Sequence, residues 1–298
     1  MSNGLGEREA TPVMPADTRS IALSFLRNLS AEVSGGVVNL PAFPDVVIRI
    51  RRALEDPDAS LNHTVRLVST EPRLAALLLQ TANSAAFNPG GKPVADLRAA
   101  ITRLGHRAVQ SSAMAFAVRQ LRLAPALRSI AQPLNVLWEQ SISVAAICQV
   151  LARRAKVSPD QAFLTGLMHG IGRLYIMVRV AGNSTSSFAD PTFLEMLKGW
   201  HAAIGEAVLR NWGFADDMCE ALGHQADFDR GDRTVADLTD LLIVSIELAA
   251  VLRVPGPRTV AMEGISSFQR LALTGQECAA TMQIAEHQLG ALHAALGC

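Results

Sequence analysis

The stretch Phe163-Leu164-Thr165-Gly166-Leu167-Met168-His169-Gly170-Ile171-Gly172-Arg173-Leu174 decides how this chain is read. It is apolar or small almost throughout, and its one histidine is followed by a glycine. Glycine has no carboxylate, so position 170 can neither ligate a cation nor take a proton from water. A histidine beside an acid is the start of a metal-and-water site. A histidine beside a glycine is not.

Outward from this stretch the pattern is helical everywhere. Upstream, Val144, Ile147, Cys148 and Leu151 form a stripe, and residues 162–178 carry the histidine segment as a helix. Downstream come short helices over 201–212 and 218–222, separated by Gly213, and a buried helix over 238–252. Phe43, Val47, Ile50 and Leu54 mark a helix after Pro44, and Ser60 is placed to cap the next, lined by Leu61, Val65 and Val68. Pro72 opens a third helix carrying Leu74, Leu77, Leu78 and Thr81, and Leu97, Ile101 and Leu104 form a fourth that ends at Gly105. Ile21, Phe25, Leu26 and Leu29 predict a short amphipathic helix that packs on the body, after a loose tail over 1–19. No run alternates with period two for long enough to make a sheet. The expected class is all-α, as two packed helical lobes: residues 40–123, and from 134 onward, with the break around Pro125 and Pro133.

Composition agrees and narrows the function. The 298 residues are 49% hydrophobic and only 5% aromatic, with much Ala and Leu. Lys plus Arg and Asp plus Glu are both 27, and this balance argues against a dedicated phosphate-backbone binder. The cluster Arg49, Arg51 and Arg52 is expected to be a solvated helix face. The N-terminus has no apolar segment of a secretory signal, and the apolar run over 241–252 is too short to cross a bilayer. Cys148, Cys219, Cys278 and Cys298 are scattered, as in a chain with reduced thiols. A cytoplasmic protein with no membrane contact is expected.

Four segments together resemble the HDOD family, bacterial output domains related to the HD phosphohydrolases. Leu40-Pro41-Ala42-Phe43-Pro44-Asp45-Val46-Val47 is similar to the family's LPPLPEVA, and the run from Glu71 to Asn83-Ser84-Ala85 to its DPALTARLLRLANSA. Leu97 to Gly105 is similar to LRQAIVLLG, and the opening stretch to LLHDIGK, with Gly170 in place of the acid. The resemblance covers about residues 36–232, leaving a tail and short helix over 1–35 and a helical extension over 233–298. It implies the family's all-helical fold.

It also implies where an ancestral metal set would lie. The first histidine, in a pattern like LWEHS, falls on Gln140 of Leu137-Trp138-Glu139-Gln140-Ser141, and an amide binds divalent metals poorly beside imidazole. The His-Asp step gives His169 and Gly170. The later His-x-x-x-Gly survives as His201 to Gly205. The His-His pair aligns to Gln225 and Ala226, with His224 one residue early, and the final Asp to Leu248, with Glu247 beside it. One residue on a helix is about 100° of rotation, so His224 and Glu247 are not simple substitutes. His169 alone cannot hold a catalytic metal, which wants about three protein ligands. His169 and His201 are therefore expected to be polar groups of an inherited pocket. His63, His106, His287 and His293 have no acid–base partner in sequence. No cofactor is expected.

Three functions compete. The resemblance implies a non-catalytic signalling module that binds other regulatory proteins. A rebuilt metal site would make a phosphohydrolase of nucleotides or phosphodiesters. A sensor would hold a nucleotide or cyclic dinucleotide without turnover, with Arg173 a candidate for its phosphate, although an exposed helix arginine is the plainer expectation.

Overall fold

The computed structural model describes residues 24, 27–29, 31–32, 35, 45–56, 60–84, 87–181, 191–231, 233–253 and 264–296, with backbone alone at 45, 55, 122, 191–198 and 291–296. The tail over 1–20, most of the helix expected from Ile21, and Phe43 lie outside them.

Helices dominate the described residues, and no strand is found among them. The first four are α1 (Asp45–Glu55), α2 (Leu61–Ser69), α3 (Pro72–Ala82) and α4 (Leu97–Arg122), and α1 and α3 both pack on α4. Ser60 caps α2 as expected, accepting the His63 N–H at 3.3 Å. Pro72 opens α3, where its missing N–H costs nothing. Asn83 closes α3 by donating to Leu79 and Val94 carbonyls at 2.9 and 2.8 Å while accepting the Val94 N–H at 2.7 Å. It does so in right-handed conformation, clamping the end of α3 to the segment at Val94. Gly105 ends the first helical segment as expected: at φ 75° and ψ 165° it is not helical, and α4 is two helices joined at this kink, the second running on to Arg122.

The remainder builds around α5 (Ala131–Leu151), whose residues from Ser141 to Cys148 are all buried. Pro133, expected at a break, lies in the first turn of α5, where proline is tolerated. Helices α6 (Pro159–Met168), α10 (Leu238–Arg253) and α12 (Gly275–Leu296) pack on α5. Helix α7 (Ile171–Ala181) packs on α8 (Pro191–Trp212), α8 on α9 (Asp216–Gly223), and the short α11 (Ser266–Arg270) on α10. By length and composition the segment Pro125–Ala155 would cross a membrane, but 61% of its most apolar window is buried inside the fold.

The larger hydrophobic core runs from Leu29 and Val47 through Leu104, Ile147 and Leu248 to Ala285, and a smaller one gathers Ala115, Trp138, Ile142, Ala145, Phe163 and Leu167. Two glycines set the closest helix crossings. A Cβ on Gly166 would stand 2.7 Å from the Ala145 Cα, bringing α6 onto α5. A Cβ on Gly172 would overlap the His201 carbonyl, bringing α7 onto α8. The basic cluster is not one solvated face: Arg49 and Arg52 are exposed, but Arg51 is 2% exposed. It donates to the Trp212 carbonyl and, at 3.0 Å, to Gly213, with its guanidinium 4.7 Å from the Phe214 ring centre.

Candidate functional site

The expected continuous helix over 162–178 is broken at the site itself. α6 stops at Met168 and α7 starts at Ile171, so His169 and Gly170 form the turn between them. His169 is 2% exposed, and its Nδ1 lies 2.7 Å from the Gly166 carbonyl. A carbonyl only accepts, so Nδ1 carries the proton and Nε2 keeps its lone pair. Nε2 is buried and has no hydrogen-bond partner in the protein. Burial pushes the imidazole down to about 4, helped by the charges of Arg173 and His201 and opposed by the Gly166 hydrogen bond. It is neutral at physiological pH.

His201, on α8, is also buried, and Arg173 reaches it from α7 with Nη2 3.5 Å from the His201 Nε2. Arg173 is not the exposed helix arginine that was expected. It is half-buried, and burial pulls its guanidinium below its ordinary value. The fold thus brings His169, His201 and Arg173 together.

The other expected positions do not join them as ligands. Gly170 faces Leu137 and Ser141: an added Cβ would lie 2.8 Å from the Leu137 Cδ1 and 3.3 Å from the Ser141 Oγ. Beside it is an apolar cavity of about 20 Å³, lined by Leu137, Trp138 and Ser141 among others, about the space of one water. Gln140 is half-buried. Gln225 is buried, and its Nε2 donates to the Leu222 carbonyl at 2.9 Å and to the His169 carbonyl at 3.3 Å. Leu248 is entirely within the core. Glu247 is half-buried, and burial pushes its carboxyl up. His224 is exposed, with Nδ1 2.6 Å from the Asp227 carboxylate, and Ala226 is exposed. His63, His106 and His287 are exposed as well, and His293 is outside the described side chains. Among the described residues no three His, Cys, Asp or Glu side chains converge as a metal would require. The donors at these positions do not fit the metal of an HD centre.

Some polar structure went unread in the sequence. Asp237 and Asp240 form a reciprocal cap at the start of α10, the Asp237 Oδ1 accepting the Asp240 N–H at 3.0 Å and the Asp240 Oδ2 accepting the Asp237 N–H at 3.2 Å. Asp240 is fully buried and also holds Arg230 at 2.9 Å, Arg270 at 2.8 Å and the Ser267 hydroxyl at 2.7 Å. The Asp-x-x-Asp spacing before an apolar run was the available signal.

Comparison with known proteins places the fold. The HDOD domain matches residues 40–228. A structure from Shewanella amazonensis SB2B, provisionally assigned as a metal-dependent phosphohydrolase, superposes with TM-score 0.65 at 21% identity, covering 93% of this chain and 99% of that one. An HDOD domain protein of unknown function from Geobacter sulfurreducens gives TM-score 0.60 at 21% identity, covering 92% and 98%. Identities this low establish the fold alone. An uncharacterized Treponema pallidum protein is 26% identical over 208 residues, and the match spans 65% of this chain but only 39% of that relative. The match over residues 40–228, on a fold with no strand among its described residues, makes this chain a member of the HDOD domain family.

Proposed function

We propose that the protein is a non-catalytic regulatory module that works in the cytoplasm by binding other signalling proteins. The observation that carries this is the packing at Gly170. Where an HD enzyme presents its metal-binding acid, Leu137 lies so close that a Cβ alone would sit 2.8 Å from it. The neighbouring amide of Gln225 is occupied in holding the His169 carbonyl. Both features favour a centre converted to packing over one waiting for a metal. A relative of the same fold from Marinobacter aquaeolei VT8, provisionally assigned to signal transduction, has TM-score 0.60 at 19% identity and supports the signalling context.

The test uses the purified full chain. After incubation with manganese, iron(II) and zinc and desalting, elemental mass spectrometry is expected to find no stoichiometric metal, and bis(p-nitrophenyl) phosphate is expected to remain uncleaved. Retained metal that is lost in His169→Ala, accompanied by turnover, would overturn the proposal. Affinity capture from the native cell, with and without His169→Ala, then asks whether partners bind independently of the old centre.

A further inference from the structure

Helices α2 and α4 pack on each other and carry Arg66, Arg98, Arg103, Arg107, Arg119 and Arg122, with no Asp or Glu in either. Arg66, Arg98 and Arg103 are exposed, and among the described residues none of the three meets a carboxylate. Elsewhere the chain pairs its arginines: Arg154, Arg210, Arg230, Arg233 and Arg270 each hold an acid of their own protein.

Two of the unpaired charges are held together. Asn62 and Arg66 stand one turn apart on α2, a spacing that leaves about 6 Å between their Cβ atoms. Arg98 reaches over from α4 and donates from Nη2 to the Asn62 Oδ1. This bond ties α2 to α4 and sets the Arg98 guanidinium beside Arg66. Arg103 lies about 7.5 Å further along the first segment of α4. Like charges fixed this close repel unless an anion enters between them, and no carboxylate among the described residues does so.

We propose that this face docks a short Asp- and Glu-rich segment of a partner protein, with Arg66 and Arg98 each gripping a carboxylate and Arg103 extending the track. A guanidinium offers paired N–H donors that match a carboxylate, and Asn62 takes only part of the Arg98 fork. Other anionic partners fit less well. Among their described residues α2 and α4 expose no aromatic or large apolar side chain. Single-stranded nucleic acid would find no ring to stack on, and a membrane no wedge to take up. Basic and acidic residues balance at 27 each over the whole chain, so the arginine excess here leaves an acidic excess elsewhere. That excess repels a long polyanion and leaves a short peptide unaffected. The inference rests on the partner-binding reading and supplies the chemistry of the partner.

The experiment is fluorescence anisotropy of the full chain at low ionic strength with a labelled alternating Glu-Asp dodecapeptide. Its Gln-Asn counterpart, a short DNA of equal length and phosphatidylglycerol vesicles are compared with it. Saturable binding of the acidic peptide is expected, weakened about tenfold or more in the double variant Arg66→Glu, Arg98→Glu. Arg153→Glu with Lys156→Glu makes the same change of net charge at exposed positions after α5 and should leave the affinity unchanged. All four substitutions are at the surface, and unchanged circular dichroism confirms the fold. No saturable binding of the acidic peptide, equal weakening by both pairs, or tighter binding of the DNA or the vesicles would each overturn the proposal. So would partner capture from the native cell that persists in Arg66→Glu, Arg98→Glu, a result that leaves the partner-binding reading standing. The metal and turnover test bears on that reading alone.

Discussion

The guanidinium of Arg51 stands 4.7 Å from the ring centre of Phe214, so a charge from α1 rests on the aromatic residue that follows α8. The same side chain closes the end of α8 through the carbonyls of Trp212 and Gly213. Orphan carbonyls at a helix C-terminus are well served by a cation, which also meets the negative end of the helix dipole. Arg51→Leu removes the donors and leaves these carbonyls buried. It is expected to cost about 3 kcal/mol, read as a lower urea midpoint at unchanged slope. Lysine should restore only part of this, since a point charge cannot reproduce the two-carbonyl fork or the stacking.

Glycine substitutions should divide by what their Cβ would meet. At Gly166 and Gly172 the neighbours are the backbones of Ala145 and His201, which cannot yield without separating whole helices. Alanine at either position should destabilise by about 3 kcal/mol or prevent folding. At Gly199, exposed on α8, nothing lies within 4 Å. Gly199→Ala should therefore stabilise by up to about 1 kcal/mol, through helix propensity and a less free unfolded chain. Thermal melts of the three variants check the ordering.

Acid should destabilise the protein in two separate windows. His169 titrates at about 4 when folded against an ordinary imidazole value of 6.5, so between these values the unfolded chain holds a proton that the folded one refuses. Its contribution is complete above about 6.5 and is lost as pH falls toward 4, a span of about 3 kcal/mol. Asp237 behaves like an ion-paired carboxylate lower down. Burial pushes it up, but the Arg230 hydrogen bond, the Asp240 N–H and the charges of Arg230 and Arg233 outweigh this and hold it at about 2 against 3.8. Its share is present above 3.8 and lost as pH falls toward 2, and Asp240 is shifted in the same direction. Urea midpoints against pH should show both windows in the wild type, and His169→Gln should abolish only the upper one. If that variant keeps the upper window unchanged, His169 is not its source.

The helices were legible because proline, glycine and apolar spacing act locally. Ser60 and Pro72 announce helix starts, and Leu74, Leu77 and Leu78 declare a buried face whatever the rest of the chain does. Gly105 reads correctly as a stop, since its positive φ breaks the helix there; what the stripe does not announce is that a second helix starts directly after it. Arg51 was beyond local reading. Its burial depends on carbonyls more than 160 residues away, and nothing around it in sequence announces them.

The site was legible in its donors and illegible in its geometry. The lack of a ligating group at Gly170 and Leu248 is read directly from residue type. That Gln225 would hold the His169 carbonyl, and that Arg173 would turn inward to His201, are set by the crossing of α7 on α8 and by the turn after α9.

The last prediction tests whether the old centre matters for regulation. His169→Ala and His201→Ala each remove a buried polar group and should cost about 1–3 kcal/mol of stability, with partner capture nearly intact. Gly170→Asp is the opposite manipulation. Its Cβ would push Leu137, and a carboxylate there would enter a cavity of about 20 Å³ whose mostly apolar wall offers it the Ser141 hydroxyl and no cation. It should therefore destabilise the fold by about 2 kcal/mol or more and gain no phosphodiesterase activity, because Gln140, Gln225 and Leu248 still offer no metal ligand. Differential scanning fluorimetry reads the stability, and bis(p-nitrophenyl) phosphate reads the activity. Should His169→Ala and His201→Ala fold normally and yet lose all partner capture, the pocket formed by His169, Arg173 and His201 would itself be the working surface, and a role for shape alone would be wrong.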